Sequence, residues 1–128
     1  MARSYHTCLL IDDNYIDNFV TSKLLANSNF AQDIIVRQSP AEAIDSLRDG
    51  TIKPDVIFLD LRMPVMNGFE FLQEFDKLNI DKDTIKIFML SSSLDPTDIK
   101  RSFENKYVTQ FIHKPLTKKL LEELAPWS

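Results

Sequence analysis

Asp12, Asp13, Asp60, Ser91 and Lys114 are the residues of this chain whose types and positions can do chemistry together. Each stands directly after a short apolar or mixed run: residues 9–11 precede the acid pair, 56–59 precede Asp60, 85–90 precede Ser91 and 107–113 precede Lys114. Clustered carboxylates repel one another, so they retain protons or recruit a cation. Hard oxygen donors with room for water suit Mg²⁺, which also commonly carries phosphate oxygens. A carboxylate held beside a metal ion and an ammonium is an available nucleophile for a phosphoryl group and would give an acyl phosphate. Lys114 and the metal would offset the charge on the transferring group's oxygens, and the Ser91 hydroxyl can donate to one of them. Singly, each residue has an ordinary use. Asp60 could be a turn residue, Asp13 or Asn14 a helix cap, Ser91 a partner of its own backbone and Lys114 a solvated charge. Core packing, however, gives no reason to put three acids, a hydroxyl and a lysine at successive strand ends.

The elements that must position these groups follow from periodicity. Residues 56–59 form an apolar run without alternation, which suits a strand buried on both faces of a parallel sheet. Residues 6–11, 34–38, 85–90 and 107–113 read as four further strands, the last weakened by Thr109 and Gln110. Ile16, Phe19, Val20 and Leu24 recur at helical spacing and predict a helix over about 15–26. Ser39-Pro40-Ala41-Glu42 supplies an N-cap, a first-turn proline and a capping-box Glu for a second helix, which Gly50 closes. Pro64 keeps Met63 out of the helical region, and Asn67 with Glu70 opens a third helix over 68–78. Asp95-Pro96 opens a fourth, with Ile99 and Phe103 inward and Lys100, Arg101 and Lys106 outward. Thr117 caps a last helix carrying Leu120, Leu121 and Leu124, and Pro126 ends it. Strands alternating with helices at short spacing imply right-handed crossovers and one parallel sheet, α/β in class. In such a sheet all the strand ends named above lie on one edge, where ligands bind.

Composition bounds the rest. The 128 residues fit one domain spanning 1–128, with no repeat, linker or low-complexity segment. A 44% hydrophobic, 27% charged composition excludes disorder, and a net charge of -4 argues against a nucleic-acid-binding surface. The single cysteine, Cys8, lies in an apolar run and reads as a buried thiol of a reducing compartment. No stretch approaches the ~20 apolar residues of a membrane span, and the first run is too short for a signal peptide. A soluble, cytoplasmic protein is expected.

Four segments together resemble the receiver domain of two-component response regulators, over almost the whole chain. They are Leu10-Ile11-Asp12-Asp13, Leu59-Asp60-Leu61-Arg62-Met63-Pro64-Val65-Met66-Asn67-Gly68, Met89-Leu90-Ser91 and Phe111-Ile112-His113-Lys114-Pro115. The resemblance implies a flavodoxin-like (βα)₅ doubly wound parallel sheet with strand order 2-1-3-4-5. It implies that Asp60 accepts a phosphoryl group from a sensor histidine kinase. Asp12 and Asp13 would serve a Mg²⁺ site whose direct protein ligands are Asp13, Asp60 and the backbone carbonyl of Arg62. Ser91 would be the switch hydroxyl, Lys114 the phosphate-pairing cation and Phe111 the aromatic switch, and the Lys114-Pro115 bond would be cis. Phosphorylation would change the face formed by helix four, strand five and helix five. Ser91 stands where threonine is commoner and Phe111 where tyrosine is, while Arg62 and Ser93 occupy the two positions that tune phosphoryl lifetime.

The implied protein is a stand-alone phosphoacceptor rather than a turnover enzyme. It would lack an output domain and act by binding a downstream protein, by relay to a histidine phosphotransfer protein, or through a phosphorylation-dependent dimer. The competing reading is a receiver-like binding module that works without phosphorylation; it needs a missing acid or lysine, and all are present. An aspartate-nucleophile phosphatase of the haloacid dehalogenase type wants a second acid two residues after the nucleophile, where this chain has Arg62. Flavin binding rests on fold analogy alone.

Overall fold

The apolar runs become five parallel strands in the order β2-β1-β3-β4-β5. In chain order the elements are β1 (Tyr5–Ile11), α1 (Tyr15–Asn27), β2 (Ala31–Arg37), α2 (Pro40–Asp49), β3 (Val56–Asp60), α3 (Gly68–Asp76), β4 (Lys86–Ser91), α4 (Pro96–Glu104), β5 (Val108–His113) and α5 (Lys118–Leu124). The structure is a computed structural model that describes residues 4–126. The flavodoxin-like topology that the family resemblance implies is the one found. Trp127, whose indole would report on its surroundings by fluorescence if it packed, lies outside the described residues.

β3 is the sheet's centre and is buried at every position from Val56 to Asp60. Its alternate side chains feed two cores. Ile57 and Leu59 join Leu9, Ile11, Ile87 and Met89 under Ala43, Ile44 and Leu47 of α2 and Phe71, Leu72 and Phe75 of α3. Val56 and Phe58 join Cys8, Leu10, Phe88, Leu90 and Ile112 under Leu25 of α1 and Leu121 and Leu124 of α5. Each fully buried Leu, Ile or Phe contributes about 1.5–3 kcal/mol, so two layers on one sheet hold its strand ends rigidly. Cys8 is a free, buried thiol, and burial pushes its ionisation well above the usual range. Among the described residues no helix is long and apolar enough to cross a membrane.

Caps set the helix starts. Asn14 Oδ1 accepts from the Asp17 N–H at 2.9 Å, and Ser39 Oγ from the Glu42 N–H at 3.2 Å. Asn67 and Glu70 form a complete capping box. Gly50 ends α2 in the left-handed region, with φ 79°.

Two expectations need correction. α1 forms where the spacing of Ile16, Phe19 and Val20 predicts it, but these side chains are 70%, 55% and 60% exposed, and the helix buries Asn18 and Leu25. Phe103 of α4 is 75% exposed and Ile99 half-buried, while Asp98 and Ser102 face inward. Both helices turn inward where polar groups meet partners: Asn18 Nδ2 donates to the Asp12 carbonyl at 2.7 Å, and Asp98 receives Arg62. β2 starts at Ala31 rather than Ile34, because backbone pairing from Tyr5↔Ala31 onward holds an edge segment with exposed Gln32 and Asp33.

Gly68 is where the fold presses closest on the strand end. Its N–H donates to the Leu61 carbonyl at 2.9 Å, and a Cβ there would lie 2.9 Å from the Asp60 carbonyl oxygen and 3.0 Å from Leu61 Cα. Both are backbone atoms, which cannot swing aside. Gly68→Ala is therefore expected to lose about 1–3 kcal/mol of stability by overpacking, read as a lower midpoint in urea unfolding with an unchanged slope.

Candidate functional site

Asp12 follows β1, Asp60 ends β3, Ser91 ends β4 and Lys114 follows β5, so the topology delivers all four to one edge of the sheet. One carboxylate oxygen each from Asp12, Asp13 and Asp60 lies within 4.8 Å of the others. Asp12 and Asp60 are buried and Asp13 is exposed, which leaves the cluster open to water on one side. Asp12 is fixed by three hydrogen bonds: its N–H donates to the Arg37 carbonyl, its Oδ1 accepts from the Asn14 N–H at 2.9 Å, and its carbonyl accepts from Asn18. Lys114 is aimed into the cluster by its own N–H, which donates to the Ser91 carbonyl at 2.9 Å and ties the ends of β4 and β5 together. The Lys114-Pro115 peptide is cis.

The Lys114 ammonium is shared among carboxylates. Nζ lies 2.9 Å from Asp12 Oδ2, 2.9 Å from Asp17 Oδ2 and 3.5 Å from Asp60 Oδ1. Burial works against the Lys114 charge, but the hydrogen bonds to Asp17 and Asp12 and the charges of Asp60 and Asp12 outweigh it and raise the ammonium's ionisation. Asp60 carries the opposite imbalance. Only 6% exposed, it is pushed up to about 7 first by burial and then by the charge of Asp12, with Lys114 pulling the other way. One ammonium does not neutralise this many acids, and the shortfall falls on Asp60. The donor set of carboxylate oxygens with access to water fits a hard divalent cation.

Ser91 is fully buried, and its Oγ accepts from the Ser93 N–H at 3.0 Å. Phe111 is half-buried against the core, opposite Met89 in the β4–β5 register. His113 is exposed. The Arg62 side chain points out of the cluster and pairs with the buried carboxylate of Asp98 on α4, whose Oδ2 also accepts from Ser93 Oγ at 2.8 Å. Between Arg62 and Gly68 the loop makes a tight reversal: the Met66 N–H donates to the Pro64 carbonyl at 2.7 Å, and Val65 takes φ 67°, a rare conformation for a β-branched residue.

Two residues of this arrangement escaped the sequence reading. Asp17 sits in the first turn of α1 and Asp98 in the first turn of α4, where acids are ordinary complements to the helix dipole. Their partners lie 97 and 36 residues away, and no local spacing pairs them.

Residues 8–125 match the family model of the response regulator receiver domain. A solved response regulator receiver protein from Dyadobacter fermentans is 38% identical, with a TM-score of 0.83 over 93% of this chain and 94% of that one. The structure of the phosphorylated cyanobacterial phytochrome response regulator RcpA is 28% identical, with a TM-score of 0.76 over 94% of this chain and 89% of that one. Among curated proteins, the sensor histidine kinase CheAY of Helicobacter pylori is 30% identical over 88% of this chain, which spans 13% of that kinase's length.

The charge shortfall has a measurable consequence. Between the ordinary carboxylate value and about 7, folded Asp60 holds a proton that the unfolded chain has released. Its contribution to stability is thus lost as pH rises through that window. Asp60→Asn is expected to melt several degrees above the parent protein near pH 8 in chelator, and the gap should close towards pH 5. Thermal melts of both proteins across that range check it.

Proposed function

Because the chain belongs to the response regulator receiver domain family, we propose that it is a phosphoacceptor signalling protein in which Asp60 takes the phosphoryl group. The donor is the phosphohistidine of a sensor histidine kinase or of a histidine phosphotransfer protein. The observation behind this reading is the buried Asp60 carboxylate set between the Asp12–Asp13 pair and Lys114. RcpA, of similar fold, has been solved phosphorylated.

The step balances simply. An Asp60 Oδ attacks phosphorus, the phosphorus–nitrogen bond to the donor imidazole breaks, and its electron pair leaves with the ring. Asp60 becomes an acyl phosphate, and no general base is needed because the nucleophile is already a carboxylate. Lys114 turns its N–H donors to the phosphoryl oxygens, and the Ser91 hydroxyl, rotating off Ser93, donates to another. Mg²⁺ would be held by Asp13, Asp60 and the Arg62 carbonyl, with Asp12 alongside, and would offset the charge of the transferring group. The same cation would keep Asp60 ionised at neutral pH. Hydrolysis of the acyl phosphate resets the site without making the protein a turnover enzyme.

Output follows from differential contacts in the two states. Ser91 drawn to the phosphoryl group makes room for the half-buried Phe111 ring, which biases α4, β5 and α5. Exposed Leu94 and Phe103 on that side suit a downstream protein or a phosphorylation-dependent dimer. The donor docks on the other side of the site, where Tyr15, Ile16, Phe19 and Val20 present an unusually apolar helix surface to solvent. The protein acts in the cytoplasm, without nucleic acid or membrane as partner.

Incubation with acetyl phosphate and Mg²⁺, followed by intact-mass measurement, is expected to add one phosphoryl group. The gain should need Mg²⁺ and vanish in Asp60→Asn. No gain, together with no binding of beryllofluoride, would leave a binding module that works without phosphorylation. Phe19→Asp should separate docking from chemistry. It is expected to slow transfer from a histidine phosphotransfer protein at least ten-fold while labelling by acetyl phosphate stays within about two-fold, as truncating an interface anchor does.

A further inference from the structure

Lys114 has three N–H donors and three carboxylate neighbours, yet its two short contacts go to Asp12 and Asp17, and the acceptor Asp60 has the long one. From this sharing we infer that Asp17 is a positioning residue: it holds Lys114 in reserve while Asp60 is bare and releases it when a phosphoryl group arrives. Occupancy of Asp60 is thereby reported on α1. The inference rests on the phosphoacceptor reading above.

The contact that breaks is decided by burial. The Asp12 side chain is 3% exposed and held by the Asn14 N–H, so losing Lys114 would leave a buried, uncompensated carboxylate. The Asp17 side chain is 43% exposed, and water can solvate it on release. Asp17 also sits in the first turn of α1, where the helix dipole favours a free carboxylate. A phosphoryl group raises the negative charge at Asp60 and adds three acceptor oxygens. Lys114 moves towards that charge and Asp17 is left behind.

The released carboxylate is next to Ile16 and one turn from Val20, within the exposed apolar surface of α1. That surface gains an unpaired negative charge when Asp60 is loaded. A partner seated on α1 therefore meets different electrostatics before and after transfer, which favours departure of a partner that matches the neutral, paired form. α4 is not the only face that changes.

Asp17→Asn frees Lys114 without altering side-chain size. It is expected to tighten beryllofluoride binding in Mg²⁺ by about two- to five-fold, the strength of a part-exposed ion pair, and Asp17→Glu should return it towards the parent value. The parent protein offers a readout that needs no substitution. Beryllofluoride should shift the Asp17 side-chain carboxyl ¹³C resonance towards that of a free carboxylate, with the amides of residues 15–20 following. Unchanged or weaker binding in Asp17→Asn, or an unmoved Asp17 carboxyl in a loaded parent protein, overturns the inference and leaves the phosphoacceptor reading intact. Failure of the parent protein to bind beryllofluoride overturns the inference, and with no phosphoryl gain from acetyl phosphate as well it brings down both.

Discussion

The structure depends on one ammonium standing among more carboxylates than it can neutralise. Two of those carboxylates, Asp12 and Asp60, are buried, and burial of an unpaired charge is costly unless it is paired or protonated. Lys114 holds Asp12 tightly and Asp60 loosely, so the unneutralised charge is concentrated on Asp60, the proposed phosphoacceptor. Two changes relieve it: a proton on Asp60 or a cation beside it. The same imbalance thus accounts for the raised Asp60 carboxyl and for a donor set suited to Mg²⁺.

The fold exists to hold that imbalance still. A parallel sheet sends the ends of β1, β3, β4 and β5 to one edge, and apolar layers on both faces prevent the strands from relaxing apart. The tie from the Lys114 N–H to the Ser91 carbonyl makes two of the site's groups move together. α3 begins so close to Asp60 that only glycine fits at position 68. α1 and α4 add polar contacts to their apolar packing, Asn18 to Asp12 and Asp98 to Arg62, beside Leu25 and Ile99. Those polar contacts couple both helices to the charge at the strand ends.

The contrast between apolar strands and polar helix contacts also explains what the sequence disclosed. Apart from the start of β2, the strands and the polar residues at their ends were legible because buried parallel strands write apolar runs closed by a polar residue; the strand order came from the family resemblance and not from periodicity. The caps were legible because they are local: Ser39, Asn67 and Thr117 all bond a backbone N–H three residues on. The outward faces of α1 and α4 were not. Ile16, Phe19 and Val20 have the spacing of a core stripe, and periodicity reports that a helix has an apolar face without saying what covers it. Phe103 misled for the same reason. Asp17 and Asp98 were missed because an acid in a first turn already has a local explanation, and their actual partners come from distant strands.

Calorimetric titration of the protein with Mg²⁺ tests the central claim most directly, performed near pH 6.5 in two buffers of different ionisation enthalpy. If Asp60 bears the unneutralised charge, one Mg²⁺ binds with release of part of a proton, the release fades towards pH 8, and both binding and release are largely lost in Asp60→Asn. Binding without proton release, or binding indifferent to Asp60, would contradict the account.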